Sequence, residues 1–335
     1  MSGLDPIPYA IPVFVGLILA EMLWARARDP AAYEAGDTRV SLLLGLGSVV
    51  VGMLTAPLVY ALADRLYGFR IATPGTAWWV WAACFVLDDL AYYWWHRIAH
   101  RVRWFWAAHV NHHSSQHYNL STALRQPWTA FLAASFAFRL PLVVLGFTPG
   151  MVLTCGAFNL IYQFWIHTGA IRRLPRWIEA VFNTPSHHRV HHAVNPPYLD
   201  RNYGGVLILW DRLFGTFQPE RDDLRIRFGI VHQIGTFNLL RAALHEWLAI
   251  AADLWRAPWR WKLAYLFGPP GWSHDGSRRS SDEIRRAWRD LAEAEPDRAA
   301  QISSAVSTAT GMGGNEPFGY DPMGTVGSTT YTHSA

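Results

Sequence analysis

The sequence is poor in charged residues and in cysteine. Only 16% of its 335 residues are charged, whereas 51% are hydrophobic and 18 are Trp; soluble domains carry about 25% charged residues. This composition is typical of a membrane protein with a polar tail. The two cysteines, Cys84 and Cys155, lie inside apolar runs. They are therefore predicted to be small buried residues, with no disulfide framework and no need for an oxidising compartment.

The sequence also lacks internal repeats, a glycine-rich phosphate-binding loop and the signature of a nucleophilic triad. Its net charge of +4 is compatible with nucleic-acid binding, but the arginines flank apolar segments and form no continuous patch. This arrangement favours anionic lipid headgroups as the partner and argues against nucleic acid.

Long apolar runs indicate helices embedded in a membrane. Residues 7–25 approach the roughly 20 residues needed to cross a bilayer. No basic segment precedes this run and no small-residue cleavage site follows it, so it predicts a retained anchor and not a signal peptide. Gly45, Gly47 and Gly52 in the second run permit close helix packing, and the turn at residues 148–150 predicts a helical hairpin. The predicted membrane segments are residues 7–25, 40–62, 76–95, 128–147 and 151–167.

The rest of the chain predicts shorter helices and a tail. Residues 207–217 and 239–255 are amphipathic and predict helices along the membrane surface. Ser280 and Glu283 form a capping-box pattern that predicts the start of a short helix, and residues 296–335 have too little apolar content to fold. The predicted fold is an all-α integral-membrane bundle with about four to five membrane-embedded helices. Its parts are N-terminal transmembrane helices (1–75), a catalytic membrane domain (76–272) and a polar, largely disordered tail (273–335).

Histidines concentrate in two short regions. Because residues three or four apart lie on one face of a helix, each group can direct its imidazoles at one point. Burying so many rings without partners would cost about 1–3 kcal/mol each, which makes a metal-free hydrogen-bonded network the weaker alternative. Imidazole suits zinc, copper, iron and nickel, and eight or more histidines exceed the needs of one tetrahedral zinc, so two metals are favoured. The groups are H-x-x-x-H (His96, His100), H-x-x-H-H (His109, His112, His113) and the repeat after Ser186 (His188, His191, His192).

Four further polar residues lie near these groups or in the apolar runs. Asp88 and Asp89 fall at membrane depth, where carboxylates are costly and usually functional. Asp89 precedes His96 by seven residues, or two helical turns, so we expect it to orient the His96 imidazole without binding metal itself. His167 ends the predicted hairpin and is either a further ligand or an interfacial residue. Glu21 is expected at the membrane interface.

The distribution of arginine predicts the orientation. With the N-terminus outside, Arg26, Arg28 and Arg39 share the cytoplasmic side with all the histidine groups and the Arg-rich C-terminal region, as the positive-inside rule prefers. Arg65 and Arg70 fall on the other side. The histidine groups are therefore predicted to form a metal-binding cap that faces the cytoplasm.

These motifs resemble a known family. The runs D-D-L-A-Y-Y-W-W-H-R-I-A-H, W-A-A-H-V-N-H-H and N-T-P-S-H-H-R-V-H-H, followed by N-Y-G-G and W-D-R-L-F-G-T-F, resemble the fatty acid hydroxylase / sterol desaturase superfamily of integral-membrane di-iron oxygenases. The likeness covers residues 88–272 and is greatest to members that cleave alkylglycerol ether lipids. The resemblance implies that the iron ligands are His96, His100, His109, His112, His113, His188, His191 and His192, with His167 and His187 as further metal ligands.

The resemblance also implies a reaction. Family members use dioxygen and two electrons to insert one oxygen atom into a lipid C–H bond, or to remove hydrogens, and release water. It implies two Fe ions, O2, a lipid substrate taken from the bilayer and an external reductant, for which tetrahydrobiopterin is a candidate. No H-P-G-G signature of a fused cytochrome b5 domain is present, so the electron donor is expected to be a separate partner. Arg101 stands where animal members carry an acidic residue, and His117 is expected to support the site or lie at the surface.

Two alternatives stay open. A desaturase or hydroxylase acting on a sterol, a carotenoid or a fatty acyl chain would use the same di-iron core, since the outcome depends on which C–H bond lies nearest the oxidant. A metal-binding or metal-transporting membrane protein would also concentrate histidine. Transport, however, usually needs ionisable groups along a path across the membrane, and these histidines are predicted to gather at one face.

Overall fold

The structure is a computed structural model that describes residues 6–295. Within this range the chain forms α-helices and short 3-10 turns, with two isolated β-bridges and no longer strand. The all-α prediction is confirmed, while the predicted disorder at 296–335 concerns residues outside the described range. The helices are α1 (Ile7–Arg28), α2 (Ala35–Tyr67), α3 (Trp78–Arg101), α4 (Arg103–His113), α5 (Leu140–Leu145), α6 (Pro149–Trp165), α7 (Arg176–Val181), α8 (Pro185–His191), α9 (Leu209–Leu213), α10 (Leu239–Arg256), α11 (Lys262–Phe267) and α12 (Ser281–Ala294).

Helices α1 and α2 are long and apolar enough to cross a membrane. They have 22 and 33 residues, and at 1.5 Å per residue α2 is about 50 Å long, against roughly 30 Å for the hydrocarbon core of a bilayer. Large apolar side chains on both helices, such as Leu23 (64% exposed) and Leu54 (76%), are not covered by the described chain. Apolar surface on this scale indicates a lipid environment. The third predicted segment lies in α3, and its placement in the membrane stays a prediction.

The predicted hairpin differs from the structure in its first limb. Residues 151–167 lie in α6 and the turn after it, but residues 128–147 contain only the six-residue α5, preceded by turns and a 3-10 segment, Ser135–Arg139. Ala134 adopts a left-handed conformation with φ 47°, which an uninterrupted right-handed helix does not allow. An apolar run indicates burial but does not reveal such a break.

Glycines in α2 allow the segment before the hairpin to approach closely. A Cβ on Gly47 would lie 2.2 Å from Nε1 of the Trp128 indole, and one on Gly45 would lie 2.6 Å from the Leu124 carbonyl oxygen. The Trp128 indole donates a hydrogen bond to the Leu44 carbonyl at 3.0 Å. The predicted close packing therefore exists at Gly45 and Gly47 but not at Gly52, and the partners are in the 120–128 segment and not in a second long helix.

We expect Gly47→Ala to lower the thermal unfolding midpoint. The new methyl group would collide with the Trp128 indole, which is held in place by its hydrogen bond to the Leu44 carbonyl, and overpacking of this kind costs about 1–3 kcal/mol. Gly52→Ala is the matched control, because a Cβ at Gly52 meets nothing within 4 Å. Equal midpoints for the two variants in detergent would contradict the packing described here.

Three predictions for the C-terminal half differ in outcome. The capping box at Ser280 and Glu283 is present and begins α12, and α10 covers the predicted helix at 239–255. The predicted helix at 207–217 is shortened to the five residues of α9. Asp211, in its middle, is buried and accepts hydrogen bonds from the backbone N–H groups of residues 203 and 204, both at 2.7 Å, which draws the chain back on itself. Burial raises the pKa of Asp211 to about 6, although these donors favour its charged form.

The helices that carry the histidines are held from several sides. Helix α3 packs against α4 and α6, and α10 lies against both α2 and α4. Arg103, at the start of α4, is buried and pairs with Glu246 and Asp253 of α10, each at 2.6 Å. Breaking such a buried pair leaves an uncompensated charge, so these contacts fix the position of α4.

Candidate metal centre

Nine histidine side chains come together in two neighbouring groups. Each ring offers one nitrogen, and within a group these nitrogens all lie within 4.8 Å of one another. All nine side chains are buried. Group 1 consists of His96, His100, His109, His113 and His191, and group 2 of His112, His167, His188 and His192.

Helices α3 and α4 supply four of the five members of group 1. His96 and His100 lie one turn apart at the end of α3, and His109 and His113 lie one turn apart at the end of α4. Val102 has an extended backbone between the two helices, and the last turns then meet: His96 Nε2 lies 2.9 Å from His109 Nε2. The spacing of four residues brings each pair to one face, as the sequence predicted.

Group 2 is assembled from three parts of the chain. His112 comes from α4, His167 follows α6, and His188 and His192 lie in and directly after α8. His167 Nε2 lies 2.9 Å from His188 Nε2 and 3.1 Å from His112 Nε2. The end of the predicted hairpin therefore reaches the same place as the histidine repeats, and His167 is a member of the group.

Neighbours in sequence belong to different groups. His113 and His191 belong to group 1, whereas His112 and His192 belong to group 2, because consecutive residues of a helix point about 100° apart. The rings of His113 and His192 stack with their centroids 4.3 Å apart. The two groups thus adjoin each other and could hold two neighbouring metal ions.

Three of the rings donate Nδ1–H to a backbone carbonyl. A carbonyl oxygen only accepts, so Nδ1 carries the proton and Nε2 keeps its lone pair, directed at the centre of its group. Metal-bound histidines usually make this outer contact, which fixes both tautomer and ring orientation. The pairs are His96 with Tyr203 at 2.8 Å, His167 with Gln163 at 2.7 Å and His191 with Arg201 at 2.9 Å.

The distances between ring nitrogens fit shared metal ions. Facing Nε2 atoms lie 2.9 to 3.2 Å apart. Two nitrogens bound at about 2.1 Å to one ion, at angles of about 90 to 109°, lie about 3.0 to 3.4 Å apart. Without an ion, the Nε2 lone pairs of His96 and His167 would have to accept hydrogen bonds from neighbouring imidazoles. A neutral imidazole has only one N–H to donate.

The hydrogen bonds of the rings leave several nitrogens unpaired. A buried polar atom without a partner costs about 1–3 kcal/mol, and coordination by metal would remove that cost at Nε2 of His100 and His191. Both groups contain only imidazole nitrogen, a donor set that suits iron and the later first-row metals and not calcium or magnesium. Within the two groups, the buried ring nitrogens without a hydrogen-bond partner in the described chain are His100 Nε2, His112 Nδ1, His188 Nδ1 and His191 Nε2.

Burial keeps the rings of α4 and α8 neutral. It lowers the pKa of His191 to about 4. The other rings also have a pKa well below the ordinary value, chiefly because of burial and further because of neighbouring imidazoles. Neutral imidazole is the form that binds metal, so these groups are ready to bind at pH 7. The rings concerned are His109, His112, His113, His188 and His192.

We expect the metal-free protein to lose stability between pH 7 and pH 5. Unfolded histidine has a pKa of about 6.5, and since the folded rings resist protonation, the unfolded chain binds more protons in this interval. The free energy of unfolding therefore decreases as the pH is lowered. Below pH 6.5 it decreases by about 1.4 kcal/mol per pH unit for each ring that stays neutral. Thermal unfolding of chelator-treated protein at pH 7, 6 and 5 measures this, and an unchanged midpoint would contradict it.

Asp89 does not contact His96, unlike the sequence-based expectation. Two helical turns separate the residues by about 10 Å along the axis, which is beyond the reach of a carboxylate. Asp89 instead binds the segment that follows Tyr203, the residue whose carbonyl accepts from His96. Its influence on His96 is therefore indirect. The donors to its carboxylate are the N–H groups of Val206 and Leu207, the Trp210 indole and the Asn159 amide, at 2.8, 3.0, 2.9 and 2.9 Å.

Asp200 is a second carboxylate near the site, and the sequence-based prediction did not include it. Asp200 Oδ1 lies 3.5 Å from His100 Nδ1, and its Oδ2 accepts from Arg101 at 3.4 Å. Arg101 also pairs with Asp282 of α12 at 2.5 Å, so the helix after the predicted catalytic domain is tied to the metal-binding end of α3. The available signal was the run D-R-N after the third repeat, since Asp200 and Asn202 adopt φ of 54° and 57°, a backbone that Asp and Asn tolerate best.

Glu21, which the sequence places at the membrane interface, is buried inside the protein, and its depth relative to a membrane stays a prediction. Its carboxylate is buried and accepts hydrogen bonds from the Tyr33 hydroxyl at 2.5 Å, the Leu120 N–H at 2.7 Å and the Thr168 hydroxyl. Thr168 directly follows His167. Glu21 therefore connects α1 to the segment that carries a group 2 ring.

Two histidines close to the repeats, His187 and His117, lie outside both groups. His187 Nδ1 lies 3.4 Å from the Thr184 hydroxyl, and its Nε2 lies 4.0 Å from the Glu179 carboxylate. His117 is half-buried and its Nδ1 lies 3.0 Å from the Ala31 carbonyl. The structure thus does not bring His187 to the other implied ligands, and His117 lies beside the loop between α1 and α2.

A small cavity adjoins group 1. Its volume is about 60 Å³, and its lining includes His100, His113, His191 and Asp200. Such a space has room for a few molecules of the size of water or dioxygen. Small reactants can therefore lie next to the ring nitrogens.

Comparisons with known proteins match the part of the chain that carries the histidines. Residues 81–216 match the family model described as fatty acid hydroxylase, and this range contains all nine histidines. Alkylglycerol monooxygenase of Danio rerio is 39% identical over 79% of this chain and 59% of its own length, and that of Homo sapiens is 37% identical over 84% and 63%. The ornithine lipid hydroxylase OlsE of Rhizobium tropici is 29% identical over 42% of the chain and 44% of its own length.

The chain spans about three fifths of the length of the alkylglycerol monooxygenases that it matches, 59% and 63% for the two above. No solved structure gives a significant match to the chain.

Proposed function

We propose, from the premise that the chain carries a fatty acid hydroxylase domain at residues 81–216, that it is a membrane-bound oxygenase that uses O2 to hydroxylate a C–H bond of a lipid. The observation that carries this proposal is the pair of nitrogen-only groups inside that domain, which between them offer nine buried imidazoles. Two neighbouring sites of this kind suit a pair of metal ions that act together on one small reactant.

The proposed occupants are two iron ions, one in each group. When bound, such a pair supplies the activation of dioxygen and the oxidation of the C–H bond. The overall reaction balances as R–H + O2 + two electrons + two protons giving R–OH + H2O. The electrons come from a separate donor, with tetrahydrobiopterin as one candidate. The proposed catalytic ligands are His96, His100, His109, His112, His113, His188, His191 and His192, and group 2 adds His167.

The chain's own residues prepare this chemistry by orienting ligands and excluding water. The Tyr203 and Arg201 carbonyls hold the rings of His96 and His191 with Nε2 facing inward. Burial of all nine rings keeps bulk water away, which protects a reactive oxidant from side reactions. The Asp200 carboxylate, 3.5 Å from His100 Nδ1, favours the tautomer of His100 that bears its proton on Nδ1.

Ether-lipid cleavage is the preferred form of the reaction, since alkylglycerol monooxygenases are the relatives matched over most of the chain. Hydroxylation of the carbon next to an ether oxygen gives a hemiacetal, which breaks down to an alcohol and an aldehyde. The second candidate is hydroxylation of another lipid that stays intact. Two likenesses support this second candidate. One is to ornithine lipid hydroxylase OlsE, and the other is to a cholesterol 25-hydroxylase-like protein of Danio rerio, which is 30% identical over 47% of this chain and 63% of its own length.

We propose that the histidine groups face the cytoplasm in a multi-pass protein. The loop between α1 and α2 lies against the site region, because the Ala31 carbonyl contacts His117 and the Ala32 carbonyl accepts from Asn119. The same end of the helix pair carries Arg26, Arg28 and Arg39, which the positive-inside rule assigns to the cytoplasm. The proposed catalytic domain is 76–272, with the helices of 1–75 as its membrane anchor and 273–335 as an appended tail.

Labelled dioxygen tests the proposed function. Iron-loaded protein in lipid nanodiscs would receive a reduced pterin, ¹⁸O2 and a 1-O-alkylglycerol, with the ester-linked monoacylglycerol as the matched control. We expect one ¹⁸O atom in the aldehyde, trapped by immediate reduction to the alcohol, and none from the ester. An ¹⁸O hydroxyl group on an intact lipid would support the second candidate. Iron-loaded protein that consumes no dioxygen with any lipid offered would contradict both.

A further inference from the structure

A second cavity lies between α1 and α2 and has no histidine in its lining. Its volume is about 630 Å³, within the range of about 300 to 1,000 Å³ that is common for ligand pockets. Met22, Leu42 and Leu43 form its apolar walls, and Arg26 and Arg39 give it a basic rim. A pocket of this composition fits a molecule with an apolar chain and an anionic head.

The two arginines are available to such an anion. Arg26 and Arg39 are exposed, and within residues 6–295 neither guanidinium forms an ion pair. Glu34 is the only acidic residue that lines the cavity, and its carboxylate accepts the Asp37 N–H at 2.6 Å. The lining therefore has a net positive charge.

The position of the cavity indicates where the anion comes from. Arg26 is in the last turn of α1 and Arg39 is in the second turn of α2, so both lie where the two apolar helices leave the predicted membrane region. Leu42 and Leu43 lie deeper along α2. Guanidinium groups bind phosphate with paired N–H donors, and each basic residue at a membrane surface adds attraction to anionic lipid.

We propose that this cavity is a binding site for an anionic glycerophospholipid. Arg26 and Arg39 bind its phosphate, and one acyl chain lies against Met22, Leu42 and Leu43. The site does not depend on the oxygenase reaction. A chain of hydrogen bonds connects it to group 2. The Tyr33 hydroxyl in the cavity lining donates to Glu21, which also accepts from Thr168, the residue after His167.

The linkage through Glu21 predicts that bound lipid stabilises the protein. Glu21 also accepts from Thr168 and Leu120, so the lipid would hold α1 against the segments next to group 2. The test uses the purified full chain in detergent with added phosphatidylglycerol, phosphatidylcholine or inorganic phosphate. Native mass spectrometry measures retained lipid, and thermal unfolding measures the stabilisation.

The variants compare the two arginines that line the cavity with a nearby arginine that does not. In Arg26→Ala/Arg39→Ala the affinity for phosphatidylglycerol should fall about tenfold or more, from two lost charge contacts, and the thermal stabilisation should vanish. Arg28→Ala is the matched control, because Arg28 is exposed in the same turn of α1 but does not line the cavity. Ala35→Trp, which fills the cavity from its rim, should lower lipid retention while both arginines stay.

Three outcomes would overturn the proposal. Equal retention of phosphatidylglycerol by all variants would mean unspecific lipid around the helices. Equal retention of phosphatidylcholine and phosphatidylglycerol by the wild type would mean that the arginines do not select the head. Stabilisation by inorganic phosphate alone, equal to that by the lipid, would identify a site for free phosphate.

Discussion

His188→Ala is expected to remove one of two metal ions and most of the activity, whereas His187→Ala is expected to keep both. His188 Nε2 lies 2.9 Å from His167 Nε2 and 3.2 Å from His192 Nε2, in the middle of group 2. His187 precedes it in α8 but lies outside both groups. Loss of an outer contact already costs about 10- to 100-fold in metal affinity or activity, so loss of a ligand should cost at least about 100-fold in turnover.

The pair of variants separates ligation from packing. Both substitutions remove a buried imidazole from adjacent positions of one short helix, so any general weakening of α8 affects both. Metal content per chain and dioxygen consumption are the two readouts, and group 1 should still hold its ion in His188→Ala because none of its five rings is changed. The same metal content and turnover in the two variants would contradict the assignment of group 2.

Asp89→Ala should cause a large loss of stability. The carboxylate is fully buried and each of its oxygens accepts two hydrogen bonds. Removing it leaves four donors without a partner, a loss of about 3–5 kcal/mol, which corresponds to about 5–15 °C in the unfolding midpoint. The segment around Tyr203 would then shift, and His96 would lose the carbonyl that orients it.

Two further variants make this prediction specific. Asp89→Asn keeps the volume but turns an NH2 group toward N–H donors, so it should also destabilise, by less than the alanine. Asp64→Asn is the control for charge, since Asp64 is an exposed acid on α2. The metal content of group 1 should fall in both Asp89 variants; a normal midpoint with a normal metal content in Asp89→Asn would show that the carboxylate has no such role.

The histidine site follows from the sequence where residue type and helical spacing decide the outcome. Pairs such as His96 with His100 and His109 with His113 are one turn apart on a helix in the structure, as their spacing predicts. The capping box at Ser280 is likewise a local pattern with a local consequence. These features depend on residues that are three or four positions apart in the sequence, so the periodic pattern alone predicts them.

Other features depend on contacts that residue type does not encode. The meeting of His96 with His109 depends on the single extended residue Val102 between α3 and α4, which brings the last turns of the two helices together. The acceptors for His96 and His191 are main-chain carbonyls, present at every residue. Arg139, inside the predicted first limb of the hairpin, binds Asp88 of α3 at 2.6 Å, a contact that the apolar pattern of residues 128–147 does not indicate.

The central claim is that the two histidine groups hold two iron ions that act as a pair. The direct test is metal content together with Mössbauer spectroscopy on protein purified without oxygen from iron-supplemented cells. Purification in air with zinc present would mislead, since affinity for imidazole sites generally rises from iron toward the later metals. The account predicts two coupled irons per chain. One metal or none in folded protein that retains its helical content would contradict it.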